Sequence, residues 1–406
     1  MTKHQLATEN TGPLKDVRIL DMTGVVLGAY ATQLLGDQGA DVLKVESPAD
    51  TRGRGGGGDI VRYNGEVPEG WPRDLGPLFL SANRNKRSLC MDLSRPDELA
   101  KVKALIPHCD VFAASVRYGG LKRLGLGYED VKAIKPDIIY ALATGYGQEG
   151  PYANDPAYDD LIQGQAGMAD ILNRVDDNPK LRYLPTLVAD KTTGWMFAQA
   201  ITAALFHHAR TGEGQYVEVP MFECMTAYHL VENHFHHVFE PPIGQWGYSR
   251  VVNPTRMPFE AMDGYIGLLP YTEAQWQGFF DAAGWGDNFA KDPRFRDHGS
   301  RNRNIRELYG LIGEAVKTKT VAEWFALLKP LSIPIVKINR MEDLESDPHL
   351  QAVEFFQHYD HPQAGHYVTT KPPIRFSATP ATIRRHAPRL GEHTEEVLAE
   401  FGVGVE

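Results

Sequence analysis

Cysteine is scarce in this chain. Cys90, Cys109 and Cys224 are the three in 406 residues, and no two stand in a CxxC spacing. That excludes a disulfide scaffold and a zinc ribbon, and it suits a reducing cytoplasm. Positive charge is also short. Lys+Arg 42 against Asp+Glu 52 gives a net −10, whereas a nucleic-acid binder needs a net basic face to neutralise phosphates. No apolar run is long enough to span a bilayer. The opening MTKHQLATEN is polar and lacks the apolar core of a signal peptide. Internal repeats, low-complexity tails and an HExxH metal motif are absent too. The expectation is a cytoplasmic enzyme or binding protein with no nucleic-acid, membrane or metal partner. At 42% hydrophobic and 23% charged residues the composition is that of a globular protein. A chain of this length is expected to form two or three domains, and it buries enough core to fold without disulfides or structural metal.

The first fifteen residues read as a flexible arm. Apolar runs at 17–21 and 40–46, with a helical pattern at 29–37 between them, make a βαβ unit and a parallel strand pair. Strand and helix signals alternate again over 96–143, which points to an open α/β sheet. A helix is expected over 159–171 and a long one from Asp190 to Arg210, followed by a strand at 215–219. The character changes after about Tyr228. Aromatics, His and Pro crowd 235–259, and a strand-like piece at 264–270 precedes amphipathic stretches near 273–283, 302–317 and 320–329. The domain reading is a large domain over 12–228, a smaller inserted α+β domain over 229–332, and a return to the large domain over 333–406.

Several clusters carry potential chemistry. The first turn, Gly24-Val-Val-Leu-Gly28, with Glu46 farther on, has the outline of a dinucleotide fold. It lacks the middle glycine of GxGxxG, which argues for a doubly wound sheet without a dinucleotide. Gly53–Gly58 (GRGGGG) reads as a surface loop, with a substrate-covering flap as the alternative. Asn83–Arg87 (NRNKR) reads as a solvated charge run or as a local field for an anionic ligand. His207, His208, His229, His234, His236 and His237 read as surface or interface side chains and not as a metal set. Asp190 stands at the mouth of the long helix after an apolar approach. It reads either as an N-cap, or as a carboxylate kept ionised by helix amides and able to act as a nucleophile. Gly194, one turn on, would then let a substrate approach.

Specific stretches go further. GPLKDVRILDMTGVVLGAYATQLLGDQGADVLKVESP at 12–48, NRNKRSLCMDL at 83–93, LGYEDV at 126–131 and GYGQEGPYANDPAYDDLIQGQAG at 145–167 are four. ADKTTG at 189–194, RTGEGQYVEVPMFE at 210–223, SDPHLQAV at 346–353 and LGEHTEEVL at 390–398 are the rest. Together these resemble the class III CoA-transferases, the family of formyl-CoA transferase and carnitine CoA-transferase, over about residues 12–403.

The resemblance implies a Rossmann-like large domain, a small domain and an interlocked homodimer. It implies transfer of CoA from an acyl-CoA to a small carboxylic acid through an aspartyl anhydride and thioester, with Asp190 as nucleophile. CoA contacts would come from Val25, Val26, Met91, Ser115, Val116 and Arg123. CoA is itself the substrate, so no metal or redox cofactor is implied. Two departures stand out. Formyl-CoA transferase has a glutamine where this chain has Val26, and the flap region, 240–258 here, holds only Gly244 and Gly247. The α-methylacyl-CoA racemases share the fold and carry GHD where this chain has Ala157-Tyr158-Asp159. A tyrosine, with a pKa of about 10, is poorly matched to α-proton exchange at neutral pH. Transfer is therefore favoured, with Tyr158 and Asp159 as positioning candidates. A racemase-type epimerase and a non-catalytic CoA-binding protein are the alternatives, and a nicotinamide-dependent dehydrogenase is the weakest.

Overall fold

The computed structural model describes residues 3–48, 56–176 and 178–404. Gly53–Gly55 of the glycine run lie outside them.

Six short strands form the central sheet. They are β1 (Arg18–Met22), β2 (Asp41–Glu46), β3 (Lys86–Cys90), β4 (Val111–Ala114), β5 (Ile139–Thr144) and β6 (Gln215–Pro220). Their order is β3-β2-β1-β4-β5-β6, and every pair is parallel. This is the doubly wound order in which the winding reverses between β1 and β4. The helices of this part are α1 (Leu27–Asp37), α2 (Pro77–Ala82), α3 (Pro96–Leu105), α4 (Tyr118–Arg123), α5 (Tyr128–Ile134) and α6 (Asp159–Gln165). After them come α7 (Met168–Asp176), α8 (Val188–Thr211) and α9 (Met221–Asn233).

Alternation along the strands sorts the two faces. Leu20, Leu43, Leu89, Phe112, Tyr140 and Leu142 form a core with side chains of α3, α5 and the C-terminal helix Thr394–Glu400. Each fully buried large apolar side chain contributes about 1.5–3 kcal/mol. The other face carries Asp21 and Lys44, paired in register, with Ser88 next to Lys44. On that side α1 and α8 lie together.

The chain divides into two compact units. The sheet unit comprises the described residues up to Ala166, Leu184–Ala227 and the stretch from Pro348 onward. The second comprises Gly167–Tyr183 and Tyr228–Asp347. The return to the first unit is at Pro348, after Ile335–Lys337 has paired with Gly264–Leu268, where the sequence reading put it at 333. In the second unit Phe259–Ala261, Gly264–Leu268 and Ile335–Lys337 form an antiparallel sheet. Its core joins Ile266 to Trp276, Phe279, Leu308, Ile312 and Trp324. Those side chains come from helices Glu273–Ala282, Ile305–Val316 and Val321–Leu328, close to where the amphipathic pattern put them. Thr272 with Gln275, and Thr320 with Glu323, close capping boxes on two of these helices.

Three expectations need correction. The arm is held: the His4 N–H donates to the His358 carbonyl (2.7 Å) and the Ala7 N–H to that of Ile383 (2.9 Å), and Asn10 Nδ2 donates to the Gly39 carbonyl at 2.8 Å. The helix expected over 159–171 is two helices, broken where Gly167 adopts φ +81°.

Third, NRNKR is neither a solvated face nor a phosphate patch. It runs into β3, and its three cations are buried and paired internally. The Arg84 guanidinium grips Asp37. Lys86 donates to the Ala29 carbonyl and to Asn83 Oδ1, 3.4 Å from Asp21, and burial pulls its ammonium down to about 8. Arg87 pairs with Asp41 and Glu400.

Candidate active site

The β1–α1 turn is built on buried charge. The Asp21 carboxylate accepts the Thr23 N–H (2.8 Å) and the hydroxyls of Thr23 (2.6 Å) and Thr32 (2.7 Å). Lys44 donates to the Thr23 carbonyl at 2.8 Å and pairs with Asp59 at 3.1 Å. The Val25 N–H donates to both oxygens of Asp59, at 3.0 and 3.1 Å, and the Gly24 N–H to Ser115 Oγ at 3.1 Å. Between these anchors Val25 sits at φ +60°. A β-branched residue is an outlier there, at about 1–3 kcal/mol. Behind Asp59, Glu46 accepts its N–H and a two-point grip from Arg62 (2.8 and 2.6 Å). Burial raises the Glu46 carboxyl, but Arg62, Lys44 and Ser88 outweigh it and hold the group at about 2.

A cleft of about 250 Å³ opens at the carboxyl ends of β1, β4 and β5. Val25, Ser115, Val116, Thr144, Tyr158 and Asp190 are among the residues that line it. It is thus at the β1/β4 reversal, where open α/β sheets bind ligands.

Asp190 is the third residue of α8. It is not the N-cap: Leu187 holds that position without a side-chain cap. The capping carboxylate comes from another helix. Asp159, 5% exposed, accepts the Asp190 N–H at 2.9 Å and Gln163 Nε2 at 2.6 Å. Burial, then the charge of Asp159, raises the Asp190 carboxyl from 3.8 to about 7. This reverses the expectation that helix amides hold it ionised, since its surroundings bring burial and a like charge. Gly194 serves packing and not substrate approach: a Cβ there would lie 2.8 Å from the Leu27 carbonyl oxygen of α1.

The remaining expected residues divide. Val25, Ser115, Val116 and Tyr158 share the cleft with Asp190, and Tyr158 is 65% exposed. Asp159 lies behind Asp190. Val26 is buried outside the lining, and the Met91 side chain is buried in the sheet core, so neither side chain is presented to a ligand. Arg123 is exposed in the last turn of α4, on the Gly120 side that also meets Val116. No carboxylate among the described residues pairs with it. Sequence reasoning missed Arg117, exposed on the cleft wall and likewise without a carboxylate partner among the described residues. Its position directly after β4 was the available signal.

Among the described residues no group of three or more His, Cys, Asp or Glu is set to hold a metal. His234 and His237 stack on Trp246, and His208 faces Asp137 at 3.2 Å. No helix there is long and apolar enough to cross a membrane.

Residues 14–394 match the family described as CoA-transferase family III. The chain belongs to that family. This class III CoA-transferase is 33% identical over 405 residues to the succinyl-CoA:mesaconate CoA-transferase of Haloarcula hispanica, covering 97% of each chain. It is 31% identical to the succinate–glutarate CoA-transferase of Agrobacterium fabrum, covering 96% of each. The crystal structure of Rv3272 from Mycobacterium tuberculosis superposes on the transferase with a TM-score of 0.80 at 28% identity, over 95% of this chain and 99% of that one.

Proposed function

We propose that this transferase moves CoA between an acyl-CoA and a carboxylic acid through covalent intermediates on Asp190, with a dicarboxylic acid as the acceptor. The observation that carries the reading is the place of Asp190: in the switch-point cleft, with its carboxylate free of any hydrogen bond among the described residues. Ionised, Asp190 attacks the thioester carbonyl. The C–S bond breaks, CoA leaves as thiolate, and a mixed anhydride remains. The thiolate attacks the Asp190 carbonyl, releasing the donor acid and leaving an aspartyl–CoA thioester. The acceptor carboxylate attacks that carbonyl and expels the thiolate. Finally the thiolate takes the new acyl group and frees Asp190. One difficult exchange becomes a chain of easier substitutions.

The amides of Val26, Leu27 and Gly28 open α1 and find no acceptor among the described residues. Of these residues Leu27 lines the cleft, and its amide is suited to the developing oxyanion. A cleft of about 250 Å³ falls below the usual range for enclosing a whole drug-sized ligand. It suits the reacting end of the substrate, with the CoA nucleotide outside near Arg117 and Arg123, which pair with no carboxylate among the described residues. CoA serves as substrate and no separate cofactor is called for. The dicarboxylic acceptor is supported by the names of the relatives, a succinyl-CoA:mesaconate and a succinate–glutarate CoA-transferase.

The test is a panel of acyl-CoA donors against short mono- and dicarboxylates, assayed by mass. Transfer to dicarboxylates is expected to dominate, and preference for monocarboxylates would overturn the acceptor class. On the family resemblance we further propose an interlocked homodimer. Sedimentation at twice the 45.2 kDa chain mass, without dissociation on dilution, is expected, and a freely exchanging monomer would contradict it. The scarcity of cysteine supports a cytoplasmic location.

A further inference from the structure

The described end of the glycine run, Gly56–Gly58, leads directly into Asp59, and Asp59 is the residue that holds the β1–α1 turn. We propose that Asp59, fixed by Lys44, is a positioning residue for CoA transfer: it locks Val25 in the left-handed backbone region and so shapes the wall of the cleft that contains Asp190. This rests on the reading of that cleft as the transfer site.

The geometry is a clamp on two peptide groups. Lys44 holds the Thr23 carbonyl, and Asp59 holds the Val25 N–H with both oxygens. The two clamping side chains are paired with each other and are 0% and 2% exposed. Asp59 is itself fixed, since its N–H goes to Glu46 and its Oδ1 also takes the Val61 N–H. Val25 is 39% exposed, so packing around it does not enforce φ +60°. The backbone bonds do. Released from them, a valine returns to negative φ. That swing re-aims the peptide that lines the cleft and the amides that open α1. Misplacing reacting groups by about 1 Å can slow a reaction about 100-fold.

A buried ion pair that merely supports the fold makes a different prediction from a clamp on one dihedral angle. Glycine adopts positive φ without strain, so in a Val25→Gly background the clamp has little left to enforce. We expect Asp59→Ala to lower kcat for total CoA transfer by at least ten-fold, and up to about 100-fold, when Val25 is present. In the Val25→Gly background the same change should lower kcat by less than about three-fold. Equal losses in both backgrounds would overturn the proposal. Asp59→Ala leaves Lys44 buried without its partner, so the cycle is repeated with Lys44→Met/Asp59→Leu, which removes both charges. The same contrast between backgrounds is expected, and its absence overturns the proposal equally. Total CoA transfer is the readout, so the result does not presuppose the nucleophile. Asp190→Asn, run alongside, reports on that reading separately.

Discussion

The Asp159 carboxylate accepts the backbone N–H of Asp190 at 2.9 Å, so the group that caps the start of α8 also sets a negative charge beside the candidate nucleophile. The cap and the charge have opposite consequences. The hydrogen bond fixes where Asp190 stands. Burial, with the charge of Asp159, resists its ionisation and holds its carboxyl at about 7. Attack on a thioester needs the ionised form. For the free enzyme, kcat/KM for the acyl-CoA should therefore rise with pH along an acid limb centred near 7. Asp159→Asn removes the charge while leaving an oxygen for the N–H, and should move that limb to lower pH. A limb that stays in place would show that Asp159 does not act through the ionisation of Asp190.

The same shift bears on stability. In the unfolded chain the Asp190 carboxyl titrates near 3.8, and in the folded protein near 7. Between those values the native state holds a proton that the unfolded state has lost, so stability falls as pH rises across the window. At about 1.4 kcal/mol per pH unit, discounted for partial exposure, the penalty is on the order of 2–4 kcal/mol. Asp190→Asn should remove it. The variant should lose CoA transfer and hydroxylamine trapping, yet melt higher than the parent at pH 8 and the same at pH 4. Calorimetry at the two pH values checks this, and an unchanged difference between them would contradict the linkage.

Arg123 offers a third test. It is exposed, beside Val116, and bound to no carboxylate among the described residues. A charged hydrogen bond to a CoA phosphate is worth about 1.5–3 kcal/mol. Arg123→Ala should therefore raise KM for every acyl-CoA by roughly ten-fold or more, equally across acyl groups, with kcat little changed. An unchanged KM would remove Arg123 from the CoA site. A change that depends on the acyl group would place it near the acyl chain instead.

What the sequence disclosed, and what it hid, follows from the range of each signal. The strands around Leu20, Leu43 and Phe112 were legible because a fully buried parallel strand is a plain apolar run. Asp190 was legible through the ADKTTG stretch and its place at a helix mouth. The strand at Lys86–Cys90 was not, because its two cations are paired in the interior with Asp21, Asp41 and Glu400 from elsewhere in the chain, and no local rule separates a buried cation from a solvated one. Two hints did exist. Asp21 and Lys44 each interrupt an apolar strand, and a lone charge in such a run implies a partner. That the partner of Lys44 is Asp59 depends on a loop closing back on the sheet, which spacing alone does not reveal. The environment of Asp190 was misjudged for a similar reason. Helix amides are read from the local chain, whereas Asp159 approaches from 31 residues away.

Transfer and α-proton exchange make different demands on this cleft. Exchange needs two groups that each take and return a proton near neutral pH, one on each face of the α-carbon. Asp190, at about 7, is well matched to one face. Among the cleft residues, the group on the sequence position where racemases carry histidine is Tyr158. Exchange near neutral pH is best served by an imidazole, and Tyr158 offers a phenol instead. Tyr158 is 65% exposed, and no cation forms an ion pair or ring contact with it among the described residues. Transfer asks nothing of that position, because the acceptor carboxylate is already ionised. We expect that incubation with a 2-methylacyl-CoA and a dicarboxylic acid in deuterated water exchanges CoA without placing deuterium on the α-carbon. Deuterium uptake in the absence of the acid would reverse the assignment and make Tyr158 the residue to substitute next.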